Sequence, residues 1–99
     1  MKRGGFVYIL TNKNKTVLYT GVTSDLKNRI WEHINKKYSD SFTAKYNLKV
    51  LVYFETFSTI EEAIHREKQI KAGSRKNKEA LINSNNPGWN NLIDELENW

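Results

Sequence analysis

Tyr8 and Tyr19 sit in two short apolar runs of the segment FVYILTNKNKTVLYTG, and Thr20-Gly21 closes the second run. Two phenols brought together can position a ligand, or they can be an ordinary cross-strand aromatic pair in a core. Arg29 and His33 lie four residues apart, so on a helix they share a face. A guanidinium forks onto phosphate oxygens and an imidazole moves a proton near neutral pH, so the pair suits a phosphate. The same spacing also decorates many solvated helix faces. Glu67 lies three residues from both Ile64 and Ile70, on the apolar stripe Ile60, Ala63, Ile64 and Ile70. A carboxylate on such a face is costly unless it is paired or binds a cation. A salt bridge to lysine or arginine and a divalent-metal site are both open.

The elements that must position these groups can be read from the pattern. Phe6–Thr11 and Val17–Val22 are β-branched and aromatic runs around NKNK, a hairpin signal. A simple closure with Thr11 opposite Thr16 places Tyr8 opposite Tyr19 on one sheet face, unless a bulge moves the register. Gly21 ends the second strand where a helix begins, and a backbone without a side chain there would admit a bulky ligand. Leu26, Ile30 and Ile34 recur every four residues, which predicts a helix from about Asp25 to Lys36, with Thr23 or Ser24 as cap. KYSDSFTAKYN reads as a loop, and LKVLVYFETF as a third strand apolar enough to be central. Ser58 with Glu61, and Thr59 with Glu62, give a doubled capping pattern for the next helix, which Gly73 closes. Ser74 caps a further short helix. Asn86 and Pro87 suit the start of a last one, striped by Trp89, Leu92, Ile93 and Leu96. The order is β-β-α-β-α-α-α, a small α+β layer fold.

The chain has 99 residues, enough for one domain, taken as 1–99, with a modest core. It has no cysteine, which removes disulfides and thiolate metal sites and fits a cytoplasmic setting. No apolar run approaches the roughly 20 residues of a membrane span, and the basic start MKRGGFVYIL lacks the features of a signal peptide. Sixteen Lys and Arg against eleven Asp and Glu give a net charge of +5, which favours an anionic partner, nucleic acid first. Arg66, Lys68, Lys71, Arg75, Lys76 and Lys78 crowd one stretch, and Lys27, Lys36, Lys37 and Lys45 add charge around the first helix. Such cations neutralise phosphates or merely solvate a helix. Tyr46 can stack on a base or pack against the site. The candidate substrate-binding residues are therefore Gly21, Lys27, Lys45, Tyr46, Arg66, Lys71, Arg75 and Lys76.

As an ordered set, Val7-Tyr8-Ile9, Tyr19-Thr20-Gly21, Arg29, His33 and Glu67 resemble the GIY-YIG nuclease family. YTGVTSDLKNRIWEH, FTAKYN, LVYFE and EEAIHREKQIKAGSRKNKEALI look like its small single-domain bacterial endonuclease subgroup, so the resemblance spans roughly residues 6 to 93. It implies a three-stranded antiparallel sheet flanked by helices, and hydrolysis of a DNA phosphodiester with one divalent cation, Mg²⁺ or Mn²⁺. By the resemblance, Glu67 would hold the metal and Arg29 would stabilise charge on the phosphorus centre. Tyr19 would be the base or orient the water, with Tyr8 beside it. A phenol near pKa 10 is a poor base at neutral pH. Some relatives carry a lysine directly after the second motif's glycine; here that residue is Val22, and His33 is the obvious substitute. The first motif lacks its leading glycine-isoleucine. A late asparagine near the site would be Asn90 or Asn91.

The expected function is a metal-dependent DNA endonuclease, structure-selective rather than sequence-specific, since no separate DNA-reading segment is visible. A role in repair, recombination or mobile DNA, a protein partner for targeting, and a monomer or weak dimer complete this expectation. The alternative is a noncatalytic DNA- or RNA-binding module on the same fold, which would not require Glu67. An aromatic interaction domain would instead expose a patch drawn from Trp31, Trp89 and Trp99, at least two of which core packing explains more cheaply.

Overall fold

A computed structural model describes residues 4–97 and 99. The strands are β1 (Gly5–Thr11), β2 (Leu18–Thr23) and β3 (Val50–Phe57). The helices are α1 (Leu26–Ile34), α2 (Phe42–Lys45), α3 (Ile60–Ala72) and α4 (Arg75–Asn85), followed by a 3₁₀ turn over Leu92–Leu96. The sheet is antiparallel in the order β2-β1-β3, so the fold is the expected three-stranded α+β arrangement.

β1 rather than β3 is central, and every β1 residue is buried. The apolar character of β3 misleads because its outer edge is covered. Asn91 Oδ1 accepts from Leu51 N (3.2 Å), and Asn86 Nδ2 donates to Val52 O (3.1 Å). An edge whose backbone groups are bound by side chains need not be polar. A bulge between Ile9 and Leu10 in the β1–β3 ladder keeps Leu10 opposite Leu51.

The hairpin closes later than simple closure predicts. Asn12 Oδ1 accepts from Thr16 N (2.8 Å) and Val17 N (3.1 Å), so a side chain takes donors that a longer ladder would have paired. Thr11 then faces Leu18, Leu10 faces Tyr19, and Tyr8 faces Gly21. The shift is two residues, which preserves the sheet face. Tyr8 and Tyr19 are therefore diagonal neighbours, with ring centroids 6.3 Å apart.

Asp25, not Thr23 or Ser24, caps α1, accepting from Asn28 N at 3.2 Å. The expected loop contains α2, capped by Ser41. On α3 only the second capping pair forms a box, Thr59 with Glu62. Gly73 is its C-cap as expected, and Ser74 caps α4. Ile64 is exposed, so the buried stripe is Ala63, Glu67 and Ile70. The last expected helix is absent: Asn86 is the C-cap of α4, and Trp89 takes a left-handed φ of 52°. Its apolar stripe splits, Trp89 packing on the α3 side of the sheet and Leu92, Ile93 and Leu96 on the α1 side.

Candidate active site

α1 buries Leu26, Ile30 and His33, three positions of one helical face laid on the sheet. His33 is thereby drawn off the solvated surface and is 6 % exposed. Its Nε2 lies 2.9 Å from the hydroxyl of Tyr8, which is 1 % exposed. Its Nδ1 lies 2.7 Å from Thr43 Oγ1 on α2. The Arg29 guanidinium, one turn earlier on α1, pairs with Glu32 at 3.0 Å, and its charge acts on both Tyr8 and His33.

Donor counting orders this chain. Among the described residues the Tyr8 hydroxyl has one hydrogen-bond partner, so the buried phenol hydrogen goes to His33 Nε2. Nδ1 then carries the ring proton and donates it to Thr43 Oγ1. Thr43 is a site residue that the sequence reading missed. Only its place at the start of a Ser41-capped turn could have pointed to it.

The titration of the pair follows from its surroundings. Burial, aided by the Arg29 charge, pushes His33 down to about 4, so it is neutral at pH 7. Burial and the neighbouring Tyr19 push Tyr8 up to about 12, against the opposing pull of Arg29.

Gly21 has a different reason from the one expected. A Cβ there would lie 2.4 Å from Tyr8 Cζ and Oη, so the missing side chain makes room for the protein's own phenol rather than for a ligand. Tyr19, half-buried, touches the His33 ring edge-on at 5.8 Å between centroids. On its other side the Lys71 ammonium lies 5.9 Å from its centroid. Lys71 in turn pairs with Glu67 Oε2 at 2.6 Å. Thus Tyr8, Tyr19, Arg29 and His33 cluster at the β1–β2 side of the sheet, and Glu67 on α3 is linked to them through Lys71 and the Tyr19 ring.

Glu67 is 8 % exposed, and its carboxylate already pairs a cationic nitrogen. A hard oxygen donor that holds an ammonium can hold Mg²⁺ or Mn²⁺ instead. Among the described residues no three His, Cys, Asp or Glu side chains converge, so no all-protein cage competes with this single carboxylate. Mg²⁺ characteristically keeps several waters and takes one or two carboxylates, so this donor set fits it.

The other candidates divide. Lys45 lies over the Tyr46 ring at 5.5 Å, and Tyr46 is 4.7 Å from Phe42, which stacks on Tyr19 at 6.1 Å. These stay beside the site. Lys76 is exposed on the first turn of α4. Arg75 is spent on the hairpin turn, donating to Lys15 O (2.9 Å) and Thr16 O (2.8 Å) and pairing with Glu79. Lys27 is turned to the C-terminal backbone, reaching Glu97 O (3.0 Å) and Trp99 O (3.3 Å). Arg66 binds Glu55 on β3 at 3.0 Å and lines an open depression with Phe57, His65 and Gln69. Asn91 covers the outer edge of β3, and Asn90 O accepts from Asn86, so both stand across the sheet from Tyr19. Of the tryptophans, Trp89 packs on the core, Trp99 leans on Phe6 and Phe54, and Trp31 is exposed. No described helix is long and apolar enough to cross a membrane.

Comparison with known proteins agrees with this fold. A UPF0213 protein of Syntrophus aciditrophicus is 39 % identical over 80 residues, covering 81 % of this chain and 91 % of the relative. A UPF0213 protein of Clostridium perfringens is 42 % identical over 79 residues, covering 80 % and 83 %. The solution NMR structure of a UPF0213 protein from Bacillus halodurans superposes with a TM-score of 0.56 at 32 % identity, covering 89 % of this chain and 92 % of that one. The family model for the GIY-YIG catalytic domain matches residues 4–80, and the chain belongs to the GIY-YIG nuclease family.

Proposed function

We propose that the chain acts as one domain, a divalent-metal-dependent DNA endonuclease that selects DNA structure rather than sequence. The observation that carries the reading is the Tyr8 hydroxyl held by a neutral His33 Nε2, at 2.9 Å, with Arg29 one turn earlier on α1 and the buried carboxylate of Glu67 linked to Tyr19 through Lys71. Hydrolysis of a phosphodiester needs a group that takes the proton of the attacking water, charge stabilisation at the phosphate, and an anchor for a cation.

Tyr8 supplies the first. Its oxygen takes the water proton as its own proton passes to His33 Nε2, and Thr43 Oγ1 holds the opposite ring nitrogen throughout. Tyr19, expected as the base or as the group that orients the water, has no hydrogen-bond partner for its hydroxyl among the described residues; it takes the second role and orients the water or the phosphate. Arg29 donates to the developing charge. Glu67 would hold Mg²⁺ or Mn²⁺, which when bound supplies Lewis-acid stabilisation of phosphate oxygens. Lys71 releases Glu67 and turns to the DNA backbone, with Lys45, Tyr46 and Lys76 along the approach. A cytoplasmic setting belongs to the same proposal.

The Glu67–Lys71 pair is the one observation favouring a noncatalytic binding module, because a neutralised carboxylate does not repel phosphate. Incubation of the protein with labelled single-stranded, duplex, flap and branched DNA in Mg²⁺, Mn²⁺ or EDTA separates the readings. Metal-dependent cleavage lost in Glu67→Gln and Tyr8→Phe supports the nuclease. Metal-independent binding without cleavage, unchanged or tightened by Glu67→Gln, supports the module. Tyr19→Phe beside Tyr8→Phe decides which phenol takes the proton.

A further inference from the structure

We infer that Phe42 and Tyr46 form a stacking subsite for an unpaired nucleobase next to the candidate active site, so that its substrate carries a single-stranded segment there. The inference rests on the nuclease reading for the identity of the ligand, but its observations are separate from the catalytic cluster.

α2 is turned inside out for a helical turn beside a core. Its buried residues are Thr43 and Ala44, whereas Phe42 is 47 % exposed and Tyr46 43 %. Thr43 must face inward to bind His33, which sends its neighbour Phe42 outward, where about half of the ring stays open. Phe42 and Tyr46 are four residues apart, so one ring follows the other along the turn at 4.7 Å between centroids. Phe42 continues onto Tyr19 at 6.1 Å with an interplanar angle of 29°, and Tyr19 onto Tyr8 at 6.3 Å. Four rings thus run from the buried catalytic phenol to the open surface.

Cations accompany the rings. Lys45 lies 5.5 Å from the Tyr46 centroid and Lys71 5.9 Å from that of Tyr19. The exposed ring of Tyr38 has Arg29 and Lys37, each at 5.6 Å. An apolar peptide would meet this surface at a desolvation cost for the ammonium groups. A nucleic acid strand matches it, because its bases stack on the rings while its phosphates meet the cations. Duplex DNA keeps its bases stacked on each other and offers none to Phe42. The surface therefore fits a single strand, and the row of rings leads that strand towards Tyr8.

The test compares affinities and cleavage. Anisotropy of a fluorescein-labelled oligothymidylate and of a same-length duplex, in EDTA, is measured for wild type, Phe42→Ala, Tyr46→Ala, Phe42→Trp and Trp31→Ala. Each alanine variant at the row should lose at least about fivefold in single-strand affinity, the lower end of the stacking range. Duplex affinity should stay unchanged. Phe42→Trp should retain single-strand binding, which a variant damaged in folding would not do. Trp31→Ala, an exposed ring outside the row, should behave as wild type. Equal losses on both DNAs, or no loss on either, overturn the subsite. Metal-dependent cleavage in Mg²⁺ is scored in parallel. Ring-dependent single-strand binding with no cleavage by wild type overturns the nuclease reading while the subsite stands. Cleavage by wild type without ring-dependent single-strand preference overturns the subsite alone.

Discussion

On the face of the sheet under α3 and α4, Val7, Ile9, Val52, Ala63, Ile70 and Ile82 meet as an aliphatic layer, and the one phenol there, Tyr53, sends its hydroxyl out to Glu55. On the face under α1, Phe6, Leu10, Leu26, Ile30 and Leu51 surround a continuous polar chain from Tyr8 through His33 to Thr43, with the Arg29 charge acting on it. Both faces exclude water. The first uses exclusion only to stabilise. The second uses it to hold an imidazole neutral and a phenol protonated over a wider pH range than water would allow. Adjacent residues of the single strand β1 serve the two ends, Tyr8 facing one side and Ile9 the other.

Substitutions at these two neighbours should break apart activity and stability. Tyr8→Phe keeps the ring packing but removes the proton acceptor, and cleavage should fall by about 10²–10⁴-fold. Ile9→Ala should cost about 2–5 kcal/mol of folding stability in urea titration while turnover per folded molecule is unchanged. If Ile9→Ala depresses turnover per folded molecule as deeply as Tyr8→Phe, the division between the faces is wrong.

Thr43 tests whether the polar chain extends past His33. Thr43→Val keeps the shape and leaves the Nδ1 proton without an acceptor, at a cost of about 1–3 kcal/mol in stability. Turnover should drop too, less than in Tyr8→Phe, because the ring loses its fixed orientation but not its Nε2. Thr43→Ser should restore turnover. Loss of stability in Thr43→Val with turnover intact would make Thr43 a packing residue and end the chain at His33.

Much of this division is legible in the sequence. Strand alternation put Tyr8 and Tyr19 on one face even though the pairing was off, because a two-residue slip does not change faces. The four-residue spacing of Leu26, Ile30 and Ile34 located α1. It did not show that the buried stripe includes His33, since an imidazole at that position reads equally as solvated. Glu67 stood out because a carboxylate on an apolar stripe is expensive, and the structure answers that expense with Lys71. What stayed hidden depended on side-chain contacts that the apolar pattern does not encode, most of them distant in sequence. Asn86 and Asn91 bind the outer edge of β3, which allowed an apolar strand to be an edge. Asn12 shortened the hairpin ladder through its own side chain. Arg66 and Lys27 read as DNA contacts by charge, and only the fold revealed their partners at the far edge of the sheet and the C-terminal backbone.

The smallest expected effect is the pH dependence that one face has and the other lacks. Folded His33 takes its proton only near pH 4, against about 6.5 for an exposed histidine. Its neighbours are Arg29 and Glu32 on α1, Tyr8 on β1, Tyr19 on β2 and the neutral Thr43 on α2. Burial and the Arg29 charge lower the value, and Glu32 opposes them. Between these two pH values the unfolded chain binds the extra proton, so stability from His33 is full above about 6.5 and drains as pH falls towards 4. Tyr8, raised to about 12, mirrors this on the alkaline side, where stability drains as pH climbs through 10 to 12. Urea midpoints of wild type should therefore fall more steeply from pH 7 to 4.5 than those of His33→Gln, since the carboxylates common to both cancel. Parallel curves would mean that His33 protonates in place, and that the polar chain is open to water rather than held by the core.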